Sequence, residues 1–219
     1  MRCIRRFGCS AFYVRETPGK GRMKMKNKKT LMLVEGAVMI ALATVLSFVK
    51  VYKLPWGGSI TLLSMTPICL YSIKRGFLAG MTVSFVYSIV QLLVDLGEVL
   101  SWGLTAGTLI ACFALDYVLA YSMLGTAGLF RKAGTKGWIA GCVMALFLRF
   151  LMHFISGAFI WESVGEVWGF NTDNKYIYSA LYNGSYMLPE LVFTTIAVVL
   201  LFKLTPIQKL LGGSSASKA

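Results

Sequence analysis

From residue 31 onward the chain alternates long apolar runs with short polar or glycine-bearing breaks. Splitting the runs at those breaks predicts six helices, over residues 31–49, 60–73, 77–94, 104–125, 137–161 and 186–204. Most of these reach or approach the ~18 residues that cross a hydrocarbon core, so the chain reads as an all-α integral membrane protein built as a six-helix bundle. The second run is the weak one: it is 14 residues long and contains Pro67, so it is expected to be tilted, kinked or only partly inserted. No internal repeat interrupts this pattern.

Charge orients the bundle. Of 22 Lys and Arg residues, 10 precede residue 31. With the N-terminus inside, 18 basic residues fall on the inner side and 3 in the outer loops, leaving Arg149 within the fifth span. That asymmetry obeys the positive-inside rule and predicts cytoplasmic N- and C-termini. Five of the nine acids (Asp95, Glu98, Glu162, Glu166 and Asp173) lie in the outer loops, either as a weak attraction for cations or as simple avoidance of base outside.

Composition agrees: 57% of residues are hydrophobic, 14% are charged, and the mean hydropathy is +0.68. The net charge of +13 sits mainly in the N-terminal tail, so it points to anionic lipid rather than nucleic acid. Residues 1–30 form a basic cytoplasmic tail without the pattern of a cleaved signal peptide. Met23 and Met25 offer alternative translation starts, so this tail is expected to be disordered or to lie partly ahead of the true start. Residues 31–211 are the membrane domain and 212–219 a flexible Gly/Ser/Ala/Lys tail. The five cysteines form no C-x-x-C and read as small packing residues, not as a disulfide framework or metal site. No Walker A loop, nucleophile elbow or H-E-x-x-H occurs, which argues against an ATPase, hydrolase or metalloenzyme and leaves no cofactor implied.

Ionisable residues within spans cost a few kcal/mol to insert and usually face a cavity or a bundle interior. Glu35, Asp116, Arg149 and His153 are the candidates. Glu35 lies near the inner end of its helix, within reach of interfacial water. Asp116 has two compatible readings: a structural partner for Arg149, or a counter-ion or hydrogen-bond acceptor for a bound solute. Arg149, His153, Gly157 and Trp161 recur at a spacing of four, so one helix face presents a cation, an imidazole, a gap and an indole. The gap at Gly157 leaves room for a flat group, or permits close helix packing. Trp168, Tyr176, Tyr178, Tyr182 and Tyr186 then form either an interfacial belt or a box for a cationic heterocycle. Asn183 is suited to reading a pyrimidine-like edge, although Asn-Gly is also a turn pair.

At HFISGAFIW (153–161) and YSALYNG (178–184), the sequence resembles the thiamine-specific substrate-binding (S) components of energy-coupling factor transporters. EGAVMIALA, TPICLYSIKRG and ALDYVLAYSMLG support the resemblance, which covers residues 31–211. It implies a six-helix protein that takes up thiamine from outside and has no ATPase of its own. Transport would be driven by partners, a transmembrane coupling subunit and two ATPase subunits. The resemblance assigns His153, Gly157 and Trp161 to the pocket, with Tyr178 and Asn183 contributing from the segment before the sixth helix. Asp116 and Tyr117 stand where the family has Glu-Tyr, one methylene longer. Trp56 stands in the first outer loop, but no acid occurs between Glu35 and Asp95 to complete that corner. Ala37 and Ala41 match the small-residue pattern with which such components meet the coupling subunit. Two other readings remain: a structural or assembly membrane protein without ligand, and an S component for a different vitamin.

Overall fold

The computed structural model describes residues 28–54, 57–61 and 63–206. The tails at either end and the Trp56 corner lie outside the described residues. Seven α-helices and two small hairpins follow in order: α1 (Lys28–Phe48), β1 (Lys50–Lys53), β2 (Ser59–Thr61), α2 (Thr66–Arg75), α3 (Phe77–Ser101), α4 (Ala106–Cys112), α5 (Ala120–Ser122), α6 (Gly134–Ser156), β3 (Gly165–Val167), β4 (Phe170–Thr172) and α7 (Lys175–Leu204). A π-helical segment, Phe113–Leu119, joins α4 to α5, and 3-10 turns at Met123–Gly128 and Arg131–Ala133 lead into α6. A second π-helical segment, Gly157–Trp161, ends α6.

Among the described residues, four helical stretches are long and apolar enough to cross a membrane: Lys29–Phe48, Phe77–Ser101, Ala106–Trp161 and Lys175–Leu204. The third, at 56 residues, turns back at 129–133, so that α6 packs against the segment that precedes it. The same segment also packs on the α2–α3 junction, and Gly128 marks how close that approach is. A Cβ there would stand 2.5 Å from the Ser72 carbonyl oxygen and 2.9 Å from the Gly76 backbone, which any side chain would force apart.

The expected second helix, 60–73, is corrected. Its first residues belong to β2, and α2 begins at Thr66 with Pro67 in its first turn, where the missing N–H costs nothing. At 10 residues it is ~15 Å long, half the thickness of a hydrocarbon core. All of Thr66 to Ile73 is buried, because α2 plugs the bundle from within. Ile68, Cys69, Leu70 and Ile73 meet Ala43, Tyr87, Leu124, Trp138, Leu146, Val198 and Phe202 in the main core.

Two other boundaries shift outward by many residues. α3 runs seven residues past its expected end, to Ser101, and α7 starts at Lys175 rather than at 186. Asn174 explains the early start: its side chain accepts from the backbone N–H of Tyr176 (3.0 Å) and Ile177 (3.4 Å), capping the first turn. Asn183-Gly184 is therefore helical, not a turn, and the helix continues through Pro189.

At one end of the bundle the two hairpins cover the helices. β3 and β4 turn through Trp168 (φ 54°) and Gly169 (φ 81°), the doubly left-handed pair that a tight two-residue hairpin needs. Lys50 and Lys53 of β1 reach Asp95 (3.7 Å) and Glu98 (2.8 Å) of α3. From α7, the buried Glu190 accepts from Thr61 N–H (2.8 Å) and Oγ1 (2.6 Å), fixing the end of β2. At the other end, Glu35 pairs with Lys74 (3.0 Å) and Arg75 (2.5 Å), tying α1 to α2.

Candidate functional site

A cavity of about 250 Å³ lies beneath the hairpins, near the lower limit of the ~300 to 1,000 Å³ typical of small-molecule sites. Four helical walls and a loop enclose it. α3 contributes Asp95 and its neighbour Trp102; the π-helical segment after α4 contributes Asp116 and Tyr117, followed by Tyr121 of α5. α6 and its π-helical end contribute Arg149, His153, Gly157 and Trp161, α7 contributes Tyr178, Tyr182, Asn183 and Tyr186, and Gly57 to Ser59 form the rim. Thus Asp116, Tyr117, His153, Gly157, Trp161, Tyr178 and Asn183 all line one space.

The two π-helical segments face this cavity. Their wider turn alters the i, i+4 register, so the ladder from Arg149 to Trp161 is not straight at its last step. Asp116 sits at the centre of the polar wall. Its Oδ1 accepts from His153 Nδ1 (3.0 Å), and its Oδ2 accepts from Ser156 Oγ (2.6 Å) and Trp161 Nε1 (3.3 Å). The other ring nitrogen of His153, Nε2, is buried and without a hydrogen-bond partner among the described residues.

Arg149 does not pair with Asp116. Its guanidinium lies over the Tyr121 ring, 4.1 Å from the centroid, with Nη1 2.7 Å from Met65 Sδ, and it is 94% buried by its 6% exposure. The structural partnership considered for Asp116 belongs to His153, Ser156 and Trp161 instead.

Gly157 owes its missing side chain to helix packing. A Cβ there would collide with Ser179 Oγ and stand 2.9 Å from Asn183 Nδ2. The gap seen in the sequence is thus filled by α7, whose Asn183 donates to the carbonyls of His153 (3.2 Å) and Ser179 (3.0 Å). Tyr186 Oη donates to Asn183 Oδ1 (2.8 Å), completing the amide's pairing.

The aromatic residues divide. Tyr178, Tyr182 and Tyr186 recur at four-residue spacing along α7 and face the cavity, with Tyr178 and Tyr182 stacked at 6.2 Å. Trp168 and Tyr176 are exposed, Trp168 touching Tyr52 of the other hairpin at 6.2 Å. Trp102 meets Trp161 edge to face at 5.5 Å. Sequence reasoning missed Trp102, Tyr121 and Ser156 and assigned Asp95 to a loop. Asp95 and Trp102 are seven residues, two turns, apart, a signal that emerges only once α3 is extended through them. Ala37 and Ala41 are exposed on α1, beside the exposed Val34, Val38, Leu42 and Val45.

Known proteins are similar to this chain in sequence and in fold. The family model described as thiamine transporter protein matches residues 33–209. The chain is 33% identical over 203 residues to the thiamine transporter ThiT of Bacillus subtilis (strain 168), covering 83% of this chain and 95% of that protein. It is 24% identical over 201 residues to the thiamine transporter ThiT of Lacticaseibacillus paracasei, covering 83% and 91% respectively. A solved structure of ThiT from Listeria monocytogenes superposes with a TM-score of 0.67 at 23% identity, covering 83% of this chain and 98% of that one, a likeness of fold. With a family model spanning most of its length, the chain belongs to the thiamine transporter protein family.

Proposed function

We propose that this multi-pass membrane protein is the thiamine-binding subunit of an energy-coupling factor uptake transporter, capturing thiamine from outside in the cavity around Asp116. The observation that carries the reading is unfilled hydrogen-bonding capacity in an aromatic pocket. His153 Nε2 is buried without a partner among the described residues, beside the Asp116 carboxylate that its Nδ1 holds. Thiamine offers an aminopyrimidine to such groups and a flat cationic ring to the indoles and phenols. In this reading Asp116, Tyr117, His153, Gly157, Trp161, Tyr178 and Asn183 form the binding surface.

The same reading has six spans within residues 31–211, counting α2, and cytoplasmic termini. The 18-to-3 split of basic residues supports that orientation. Uphill uptake is assigned to partners, a coupling subunit that packs on Ala37 and Ala41 and two ATPase subunits. The exposed apolar face of α1 supports that contact. The subunit itself carries out no chemical reaction.

Titration of the purified protein with thiamine tests the proposal. Stacking on Trp161 should quench tryptophan fluorescence, and binding to the folded state should raise the melting temperature, by about 2.7 kcal/mol of stabilisation at 100 times Kd. Riboflavin and biotin should do neither. A flat response at micromolar thiamine would leave the structural-protein reading; a response to another vitamin would reassign the ligand.

A further inference from the structure

The cavity has two carboxylates, and they are differently occupied. Asp116 accepts three hydrogen bonds, from His153, Ser156 and Trp161. Asp95, on α3, has Lys50 Nζ 3.7 Å away, an ion pair longer than a hydrogen bond. We propose that Asp95 supplies the counter-charge for the thiazolium of thiamine, and that Asp116 instead reads an N–H of the aminopyrimidine. This rests on the thiamine reading above.

The chemistry of the ligand divides the two roles. The thiazolium nitrogen is fully substituted and has no proton to donate, so a vacant acceptor position on a carboxylate is of no use to it. It requires negative charge and π faces nearby. The exocyclic amine of the pyrimidine has N–H groups, which a carboxylate such as Asp116, already set among the donors His153, Ser156, Trp161 and Cys112, accepts. Asp95 shares its helix face with Trp102, two turns on, and Trp102 meets Trp161 edge to face. Asp95 and Trp102 thus stand on one wall, and Trp161 joins that wall to Asp116, whose Oδ2 accepts from its indole N–H.

The charge balance of the lining agrees. Its ionisable groups are Asp95, Asp116, Arg149 and His153. With His153 neutral the lining carries one net negative charge, which a monocation neutralises. Arg149 also borders Asp95 across a second, small polar chamber of about 30 Å³ lined by Ser47, Ser64 and Gln91. Arg149 is occupied by the Tyr121 ring and forms no ion pair within 4 Å among the described residues, so Asp95 is not consumed by it. Lys50 is the competing cation, and it lies on the hairpin rather than in the cavity lining.

The test compares thiamine with its uncharged isostere, in which the ring nitrogen is replaced by carbon, by equilibrium binding to the full chain. Asp95→Asn should weaken thiamine by about tenfold or more and the isostere by less than about twofold, because only one of them carries the charge. Asp116→Asn should weaken the isostere as well as thiamine, because both carry the aminopyrimidine. Lys50→Met removes the competitor and should leave thiamine as tight as before or tighter. Equal losses of both ligands in Asp95→Asn, selective loss of thiamine in Asp116→Asn, or a loss in Lys50→Met matching that of Asp95→Asn would overturn the assignment. If the unaltered protein binds neither ligand, the thiamine reading itself fails.

Discussion

Substituting Gly157 by alanine probes whether α6 and α7 are packed as closely as the cavity requires. The added Cβ would overlap Ser179 Oγ and approach Asn183 Nδ2 to 2.9 Å and Ser179 Cβ to 3.1 Å. Relief requires α7 to retreat or Asn183 to rotate, breaking its bonds to the His153 and Ser179 carbonyls. Overpacking of this kind costs about 1–3 kcal/mol, against a gain of about 0.5–1 kcal/mol for alanine over glycine inside a helix. The net expectation is a destabilisation of about 1–2 kcal/mol, read as a lowered melting temperature in detergent. Thiamine affinity should fall about tenfold, near 1.4 kcal/mol, because Asn183 lines the cavity. Gly97→Ala in α3 is the control: nothing lies within 4 Å of its added Cβ, so it should gain the helix term alone. Gly157→Ala combined with Ser179→Ala removes the nearest obstruction and should recover part of both losses. A Gly157→Ala protein that melts as high as Gly97→Ala and binds thiamine undiminished would refute the close approach of α7.

Two further outcomes follow from the same geometry. Asp116→Ala and Trp161→Ala should each weaken thiamine by at least about tenfold, roughly 1.4 kcal/mol, in a calorimetric titration; unchanged affinity in folded variants would remove them from the pocket. Glu190→Ala leaves Thr61 N–H and Oγ1 without their acceptor, which should cost about 1–3 kcal/mol and speed hydrogen exchange at Thr61, with Glu190→Gln retaining part of the protection.

Much of the architecture was legible before any coordinates. Apolar runs longer than a bilayer crossing, divided at charges and glycines, identify α1, α3, α6 and most of α7, since burial in lipid demands continuous apolar helix. The failures share a cause. Periodicity measures the apolar surface of a segment and not what covers it, so α2, wrapped by protein rather than lipid, looked like a defective span. Local propensity misled at α7, where Asn183 and Gly184 read as a turn pair. Tertiary contacts with α6 and the Asn174 cap sustain the helix through them.

The site shows the same division. Residue types and a four-residue spacing were enough to nominate Asp116, His153, Gly157, Trp161, Tyr178 and Asn183, because ionisable and polar groups at membrane depth are costly unless used. Which partner each one takes is a matter of three-dimensional distance. Asp116 bonds to His153, Ser156 and Trp161 and not to Arg149, the opening at Gly157 is filled by Ser179 and Asn183, and Asp95 and Trp102 join the cavity from a helix expected to have ended. The sequence by itself determined a membrane bundle, its polar residues and the family to which they are similar. Only the tertiary structure decided how those residues pair, since hydrogen bonds and packing act over a few ångströms between segments that lie far apart along the chain.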